Sequence, residues 1–359
     1  APASMDQLSP EFQAMMAQMH GVPETGSQIA GSYQSLVSTL EKRAGATAKK
    51  GEETYFASYE DMRMHEAMVH DRPRTEGYHR ALQEAGVQGK IVADAGAGTG
   101  VLSCFAAKAG AEKVYAIEAS KVAMFARRVA EANGCTNVEV VEELLEKADL
   151  PQVDIIVSEW MGYFLIYEHM LPSVLSLRDR CLKEGGRMIP GKCTLFMAPL
   201  HDASWWQEKV EAWGDVCGLD MSCVRDGMLD SLFQQPLVRD VDVECVLGDG
   251  SIIFAFDAHT VSAEGVREFA ADFEFEVSAP AIHGFVTWFD CELYPGVALS
   301  TSPRVSATHW KQTCLMLPDP LPSGKVVGKM SVSPLADFPR GLRIVIDGKV
   351  GPISFCHCW

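Results

Sequence analysis

The spacing of hydrophobic residues along the chain indicates an α/β domain over its first half. Short apolar runs, long enough for buried strands, alternate there with stretches of helical periodicity. The predicted strands occupy residues 90–94, 113–118, 138–141 and 153–158, and the predicted helices residues 53–85, 101–109 and 120–133. Strands that alternate with helices are typical of a parallel, doubly wound sheet of the Rossmann type.

After about residue 190 the pattern changes to runs of β-branched and aromatic residues. The predicted strands occupy residues 241–246, 252–256, 269–277, 285–293, 325–332, 342–346 and 353–358. Such a series favours an antiparallel β domain, either a sandwich or a barrel. We therefore predict three parts: an N-terminal extension at residues 1–50, an α/β domain at 51–190 and a β domain at 191–359. The extension is expected to be flexible, because it is rich in Ala, Gly, Ser, Met and Gln.

Composition narrows the class of protein. The net charge of −17 disfavours direct nucleic-acid binding and favours basic partners, because long-range fields steer opposite charges together. We find no apolar run long enough for a membrane span and no secretory signal. The 11 scattered cysteines form no paired C-x-x-C motif, and Cys356, His357 and Cys358 do not complete a zinc site. Reduced thiols in the cytoplasm or nucleus are the expected state.

A glycine-rich loop follows the first predicted strand. Gly96, Gly98 and Gly100 precede a predicted helix, where glycine allows close backbone approach to a ligand and the helix N-terminus favours negative charge. Val101 stands where the dinucleotide fingerprint has its third glycine, which disfavours NAD. Glu118 ends the next strand, where an acid can accept hydrogen bonds from ribose hydroxyls. Glycines that serve only packing, with a solvated acid, are the alternative.

Two glutamates enclose an apolar loop after the fourth predicted strand. Glu159 lies at the strand end, where ligands bind in doubly wound sheets, and Glu168 closes the loop. Two carboxylates among aromatic side chains are costly to bury without a cation. A guanidinium group matches them, since it is planar and presents five donors. One solvated acid and one acid at a helix start are the alternative.

This loop, SEWMGYFLIYE at residues 158–168, resembles the double-E loop of protein arginine N-methyltransferases. Further stretches resemble elements of the same family in the same order: residues 55–59, 64–68, 71–75, 92–102, 182–190 and the THWKQT stretch at 308–313. The resemblance covers about residues 55–359, and the joint presence of the double-E and THW stretches makes it specific. Residues 60–63 and 142–151 depart from the family pattern.

The resemblance implies S-adenosyl-L-methionine as methyl donor and S-adenosyl-L-homocysteine as product. It assigns cofactor binding to Tyr55, Phe56, His65, Arg74, Asp94, Gly96, Gly98, Gly100, Glu118 and Glu146. Within this set, Arg74 is expected to bind the cofactor carboxylate, Glu118 the ribose and Glu146 the adenine amine. Tyr55 and Phe56, together with Tyr59, are expected to form a helical lid over cofactor and substrate.

The resemblance also implies the catalytic residues. Glu159 and Glu168 would orient the substrate guanidinium, whose pKa lies above about 12, and hold its charge away from the reacting nitrogen. His309, paired with Asp71, would accept or relay the proton, or else act as a structural latch. Met68 resembles the methionine that leaves room beside the guanidinium, which implies asymmetric dimethylarginine, the type I product. Tyr59 completes the predicted catalytic set.

The resemblance places a dimerisation arm at residues 201–233, which contain Trp205, Trp206 and Trp213. It implies a head-to-tail homodimer, and we expect the tryptophans to be exposed on the arm. Basic proteins with Arg/Gly-rich or histone tails are the implied substrates. Three alternatives remain: a nucleotide-dependent oxidoreductase, a methyltransferase for another substrate, and a non-catalytic scaffold or partner subunit that retains the fold.

Overall fold

The computed structural model describes residues 61–335, 338, 340–347 and 350–355, with the backbone alone at residues 228, 230–232 and 350–355. Several sequence predictions therefore lie outside the described residues: the extension at 1–50, the lid residues Tyr55, Phe56 and Tyr59, and the cluster Cys356, His357 and Cys358.

The first half of the described chain forms a parallel five-stranded sheet, as predicted. Its strands, in spatial order, are β3 (Val138–Val141), β2 (Lys113–Ile117), β1 (Ile91–Ala95), β4 (Val153–Ser158) and β5 (Leu182–Ile189). The order reverses beside β1, so the carboxyl ends of β1 and β4 flank the crevice where ligands bind in open α/β sheets. Helices α3 (Val101–Lys108), α4 (Ala123–Ala132) and α5 (Leu171–Cys181) connect the strands.

The long helix predicted over residues 53–85 is divided in the described part. Helix α1 (Met62–His70) ends at Asp71, and α2 (Arg72–Glu84) begins directly after it. Asp71 caps α2 by accepting a hydrogen bond from the backbone N–H of Arg74. Pro73 is tolerated in the first turn of α2 but would disrupt the interior of a longer helix. The prediction of one continuous helix was wrong because it ignored this pair of residues.

The second half forms one antiparallel sheet of eight strands. The main path runs β13 (Val350–Phe355), β12 (Leu342–Ile346), β11 (Gln312–Pro334), β9 (Phe269–Tyr294), β6 (Lys192–Leu200) and β8 (Ser251–Asp257), while β10 (Val297–Ser300) pairs with β9 and β7 (Leu237–Arg239) with β11. Two predicted strands, 269–277 and 285–293, are one strand, β9. The strand predicted at 241–246 is wrong, since residues 243–245 form a short 3-10 helix.

The two sheets share a hydrophobic core. Gly77 on α2 lies so close to β9 that a Cβ atom added there would be 3.2 Å from Cδ1 of Leu293. Arg178 of α5 is buried and donates through Nη1 to the carbonyl oxygens of Ala258 and Val261 in the β domain. A charged side chain that satisfies two buried carbonyls fixes the two halves in one arrangement.

The segment 201–233, called the arm below, contains α6 (Ala203–Lys209), a 3-10 helix at Glu211–Gly214 and α7 (Ser222–Phe233). The prediction that its tryptophans are exposed is wrong. Trp206 is only 8% exposed and packs against His283 and Phe233, and Trp205 is half-buried and faces the Arg239 guanidinium. Val216, Leu219 and Val224 supply the exposed apolar surface of the arm instead.

Candidate active site

A cavity of about 690 Å³ lies at the carboxyl ends of the parallel strands. The glycine loop after β1, Glu118 after β2 and Glu159 after β4 line one side of it. Residues of the β domain, among them His309 and Trp310, line the other side. The cavity therefore lies where the strand order reverses, and both halves of the molecule build it.

The cavity brings together most of the predicted site residues. Those that line it are His65, Met68, Arg74, Gly96, Gly98, Glu118, Glu146, Glu159, Glu168 and His309. Asp71 lies directly behind His309, whereas Asp94 and Gly100 are not among the lining residues. The predicted roles of Asp94 and Gly100 in contacting the cofactor are therefore not supported by their positions.

The glycine loop forms a closely packed floor. Gly96 has φ +77°, and a Cβ atom added there would lie 2.3 Å from the Cε atom of Met170. A Cβ atom at Gly98 would lie 3.4 Å from Cε1 of the buried His65. At Gly100, with φ +82°, it would lie 3.0 Å from Cα of Ala126, so this glycine allows α3 to approach α4.

Glu118 is anchored by backbone amides. Its Oε2 accepts from the N–H of Gly98 at 2.9 Å, and its Oε1 accepts from the N–H of Ser120 at 2.8 Å. Each carboxylate oxygen has a second lone pair, so the side chain can still accept hydrogen bonds from a ligand. Glu146 also lines the cavity, and its exposed side chain accepts a hydrogen bond from the hydroxyl of Ser173.

Asp94 supports the glycine loop from inside the core. It is 1% exposed, and its Oδ2 accepts a hydrogen bond from the Ser103 hydroxyl of α3 at 2.6 Å. Burial raises the pKa of Asp94 to about 6, although the Ser103 hydrogen bond opposes the shift. Its contact joins the end of β1 to the helix that follows the loop, which is a structural function.

Glu159 is held by Arg74 rather than by solvent. The Nη2 and Nε atoms of Arg74 lie 3.0 and 3.1 Å from Oε2 of Glu159, and both side chains are 7% exposed. The Nη1 atom of Arg74 donates to the carbonyl oxygen of Met68 at 3.2 Å. The other carboxylate oxygen, Oε1, is buried and has no hydrogen-bond partner among the described residues. Such an atom requires a donor from a ligand or water.

The loop between the two glutamates has an unusual backbone. Phe164, Leu165 and Glu168 have φ values of 53°, 64° and 72°, in the left-handed region that side chains other than glycine seldom adopt. Phe164 and Leu165 are buried and hold this conformation by packing. Burial raises the pKa of the Tyr163 phenol, and the negative charge of Glu168 adds to this shift. Backbone strain of this kind is concentrated at functional sites.

His309 is fixed by Asp71, as predicted. The Nδ1 atom of His309 lies 2.7 Å from Oδ2 of Asp71, which also accepts from the His309 backbone N–H at 2.8 Å. Burial alone would raise the pKa of Asp71, but the hydrogen bonds from His309 and from the backbone of Arg74 lower it. Trp310 packs on the His309 ring at 4.0 Å and donates through Nε1 to the carbonyl oxygen of Met161.

Sequence reasoning missed several lining residues. Met161 lies inside the recognised 158–168 stretch, and its position between the glutamates could have indicated it. Met64 and Met170 come from α1 and from the turn before α5, and Arg340 comes from the turn between β11 and β12. Nothing in the local sequence of Arg340 pointed to a site more than 170 residues earlier in the chain.

Two kinds of feature are absent from the described ranges, a metal-binding cluster and a membrane-spanning helix. Within residues 61–335 and the shorter segments that follow, no group of three or more His, Cys, Asp or Glu side chains is arranged to hold a metal ion. None of the helices in the same part of the chain is both long and apolar enough to cross a membrane.

Family models and curated relatives place the chain among known proteins. The model described as the arginine methyltransferase oligomerization subdomain matches residues 191–351, and that of the ribosomal protein L11 methyltransferase matches residues 71–190. Probable protein arginine N-methyltransferase 6.1 of Oryza sativa subsp. japonica is 37% identical over 345 residues, which cover 86% of this chain and 88% of the relative. Protein arginine N-methyltransferase 6 of Xenopus laevis is 39% identical over 327 residues, covering 87% and 95%.

Solved structures agree with this placement. The Trypanosoma brucei PRMT1 enzyme-prozyme heterotetrameric complex with AdoHcy superimposes with a TM-score of 0.73 at 34% identity, covering 83% of this chain and 98% of that one. Protein arginine methyltransferase 10 of Arabidopsis thaliana, described as uniquely open, gives a TM-score of 0.70 at 28% identity, covering 84% and 99%.

Proposed function

Because this chain belongs to the protein arginine N-methyltransferase family, we propose that it transfers methyl groups from S-adenosylmethionine to the guanidinium nitrogens of arginine residues in basic proteins. One observation carries the proposal. The buried Oε1 of Glu159 has no hydrogen-bond partner among the described residues, and it lines the same cavity as Glu168 and His309. A bound guanidinium supplies the donors that this atom needs.

The residues of the cavity fit S-adenosylmethionine. Gly96 lies against Met170 where a Cβ atom would not fit, and Glu118 and Glu146 offer acceptors among the residues that line the cavity. Of the five N–H bonds of Arg74, three are used within the protein, which leaves donors for a ligand carboxylate. When bound, the cofactor supplies an electrophilic methyl group on a sulfonium centre.

Glu159 and Glu168 bind and orient the guanidinium group of the substrate. The guanidinium is protonated at neutral pH, so a methyl-accepting nitrogen must be oriented while the cation is held. Glu159 accepts from it through Oε1, because Arg74 already occupies Oε2. Carboxylates fixed before the substrate arrives need no reorganisation during the reaction, which is how preorganised charges lower a barrier.

His309 is our proposed first acceptor of the proton that the substrate loses. Its Nδ1 is engaged by Asp71, so Nε2 is the ring nitrogen available to the cavity. The carboxylate of Asp71 stabilises the positive charge that develops on the ring when Nε2 is protonated. The backbone bonds that Asp71 also accepts, from His309 and Arg74, keep the pair in place.

Type I chemistry, which yields asymmetric dimethylarginine, is the product specificity that we propose. Met68 and Met161 both line the cavity beside the glutamates. Unbranched thioether side chains adapt their shape readily, so they can accommodate a second methyl group on the same nitrogen. Basic proteins with Arg/Gly-rich or histone tails are the proposed substrates, since the net charge of −17 attracts them.

A homodimer formed through the arm is also proposed. The match to an oligomerization subdomain supports assembly, and the exposed Val216 and Leu219 of the arm are suited to an apolar contact. Leu219→Asp should shift the protein to monomers in analytical ultracentrifugation. Val243→Asp, at a 46% exposed site outside the arm, should not. A Leu219→Asp protein that sediments like the wild type would contradict the arm contact.

The activity itself is tested with two peptides of equal length and charge, one Arg/Gly-rich and one Lys/Gly-rich. We expect methyl transfer to the arginine peptide alone, with asymmetric dimethylarginine as the end product in mass spectrometry. Symmetric product would retain the family assignment and refute the role of Met68 and Met161. No transfer to a broad panel of basic proteins would favour the non-catalytic alternative, a subunit comparable to the prozyme in the Trypanosoma brucei complex.

A further inference from the structure

Arg340 contacts the backbone of Glu168 from both sides. The carbonyl oxygen of Arg340 accepts from the N–H of Glu168 at 3.0 Å, and its Nη1 donates to the carbonyl oxygen of Glu168 at 3.0 Å. One residue of the β domain therefore forms hydrogen bonds with both the backbone N–H and the backbone carbonyl of Glu168. Arg340 also lines the cavity.

These contacts are made at a second pair of left-handed residues in the loop. Glu168 and His169 have φ values of 72° and 56°, so two consecutive residues other than glycine are left-handed. Such backbone persists only where the surroundings fix it. Because the direction of a side chain follows from its backbone dihedrals, releasing the backbone of Glu168 would turn its carboxylate away from the cavity.

The described residues on either side of Arg340 are held by backbone hydrogen bonds. Between β11 and β12, the N–H of Gly341 donates to the carbonyl of Phe338, and the N–H of Leu335 donates to the carbonyl of Gly341. Leu342, the first residue of β12, is fully buried. Arg340 thus fixes the double-E loop in position relative to the β sheet.

The charge of Arg340 makes a purely electrostatic role unfavourable. A cation beside a cavity that receives a guanidinium repels the substrate. Arg74 bonds to the carboxylate of Glu159, whereas Arg340 donates a hydrogen bond to the backbone carbonyl of Glu168.

We propose that Arg340 is a positioning residue for the methyl transfer, which keeps the carboxylate of Glu168 directed at the substrate guanidinium through the two backbone contacts. The proposal rests on the proposed function and deepens it. It predicts that the loss of Arg340 acts through Glu168, lowers kcat and leaves cofactor affinity unchanged.

The test is a double-mutant cycle on an Arg/Gly-rich peptide, with Arg340→Met, Glu168→Gln and the double variant. Arg340→Met should lower kcat by about 10- to 100-fold in the wild-type background and by less than threefold in the Glu168→Gln background. The dissociation constant of S-adenosylhomocysteine should stay within threefold. Monomethylarginine should form a larger share of the product, since a loosely held substrate leaves after one transfer.

The controls separate positioning from folding. Arg343→Met removes an exposed arginine three residues further along the same hairpin and should leave kcat within twofold. Arg340→Lys keeps the positive charge and a hydrogen-bond-donating group at the end of the side chain. It should recover at least half of the lost activity on a logarithmic scale. If Arg340→Met does not fold, Arg340→Lys replaces it in the cycle, with the same requirement of non-additivity.

Two results would overturn the proposal. One is an Arg340→Met enzyme with wild-type kcat and product ratio; the other is a loss of equal size with and without Glu168→Gln. Neither result would bear on the proposed function, which the activity of the wild-type enzyme tests separately.

Discussion

Arg74 and Glu159 form a buried ion pair, with Nη2 3.0 Å from Oε2 and both side chains 7% exposed. The pair links α2 to the end of β4, so the first helices of the α/β domain fix the first glutamate. The arginine also leaves the second carboxylate oxygen available to a substrate. We propose that Arg74 acts on both ligands of the cavity, since it positions Glu159 and retains donors for the cofactor.

Loss of the Arg74 side chain should lower the free energy of unfolding much more than loss of the nearby Arg72 side chain. Arg74→Met leaves a buried carboxylate unpaired, and the free energy of unfolding should fall by about 3–5 kcal/mol. Arg72→Met breaks an exposed pair with Glu76, whose side chains are 82% and 64% exposed, and should cost less than about 1 kcal/mol.

Urea denaturation of both variants, with calorimetric titration of S-adenosylhomocysteine, checks this prediction. We expect the affinity of Arg74→Met to fall at least tenfold and that of Arg72→Met to stay within twofold. Equal stability losses at the two positions would refute the claim that the Arg74 pair is special.

Asp71→Asn should slow the reaction while preserving the fold. Asparagine can still cap α2, but it lacks the charge that stabilises a protonated His309. We expect kcat to fall at least tenfold, within the range typical of disabled general bases. Asp61→Asn alters the comparable cap of α1 and is the matched control, with kcat expected within twofold. If kcat of Asp71→Asn stays within twofold of wild type, the His309–Asp71 pair has a structural role and does not accept the proton.

Asp94→Asn should stabilise the protein in a pH-dependent manner. The fold raises the pKa of Asp94 to about 6, so it favours the protonated form, and the contribution of Asp94 to stability is lost as pH rises through 6. A shift of about two pKa units corresponds to about 3 kcal/mol, which is an upper bound for the gain. The gain should therefore be full at pH 8 and small at pH 4.5.

Denaturation between pH 4.5 and 8 measures this gain. Asp154→Asn is the contrasting control: hydrogen bonds from Lys183 and the Ile91 backbone outweigh burial and lower the pKa of Asp154, so this variant should lose stability at pH 8. A gain for Asp94→Asn that does not change with pH would show that ionisation of Asp94 is not its source.

Features carried by contiguous residues were predictable from the sequence, and features made by distant residues were not. The parallel strands, the glycine loop and the glutamate loop each depend on a short stretch with a clear pattern. Asp94 and Gly100 belong to the same stretch as Gly96, but a motif does not reveal which of its residues face the cavity. Arg340 reaches Glu168 across 172 positions, so only the folded β domain shows their contact.

The errors have similar physical causes. The long strand β9 was read as two strands because Pro280 interrupts its pattern, although a proline within a strand is compatible with a bulge or irregular pairing. The arm tryptophans were expected to be exposed because the resemblance places them on a dimerisation arm, yet Trp206 packs against His283 of β9. The burial of Trp206 depends on its packing against β9, and the composition of the arm segment alone does not predict that contact.

The proposed methyl transfer depends on the two glutamates, and kcat of Glu159→Gln on an Arg/Gly-rich peptide tests this dependence most directly. Glutamine keeps the size of the side chain and removes the charge that Arg74 and the substrate share. Glu184→Gln, at an exposed site of the same domain, is the control. We expect kcat to fall at least 100-fold for Glu159→Gln and to stay within twofold for Glu184→Gln. A Glu159→Gln enzyme that retains more than a tenth of the wild-type kcat would contradict the central claim that this carboxylate holds the substrate guanidinium.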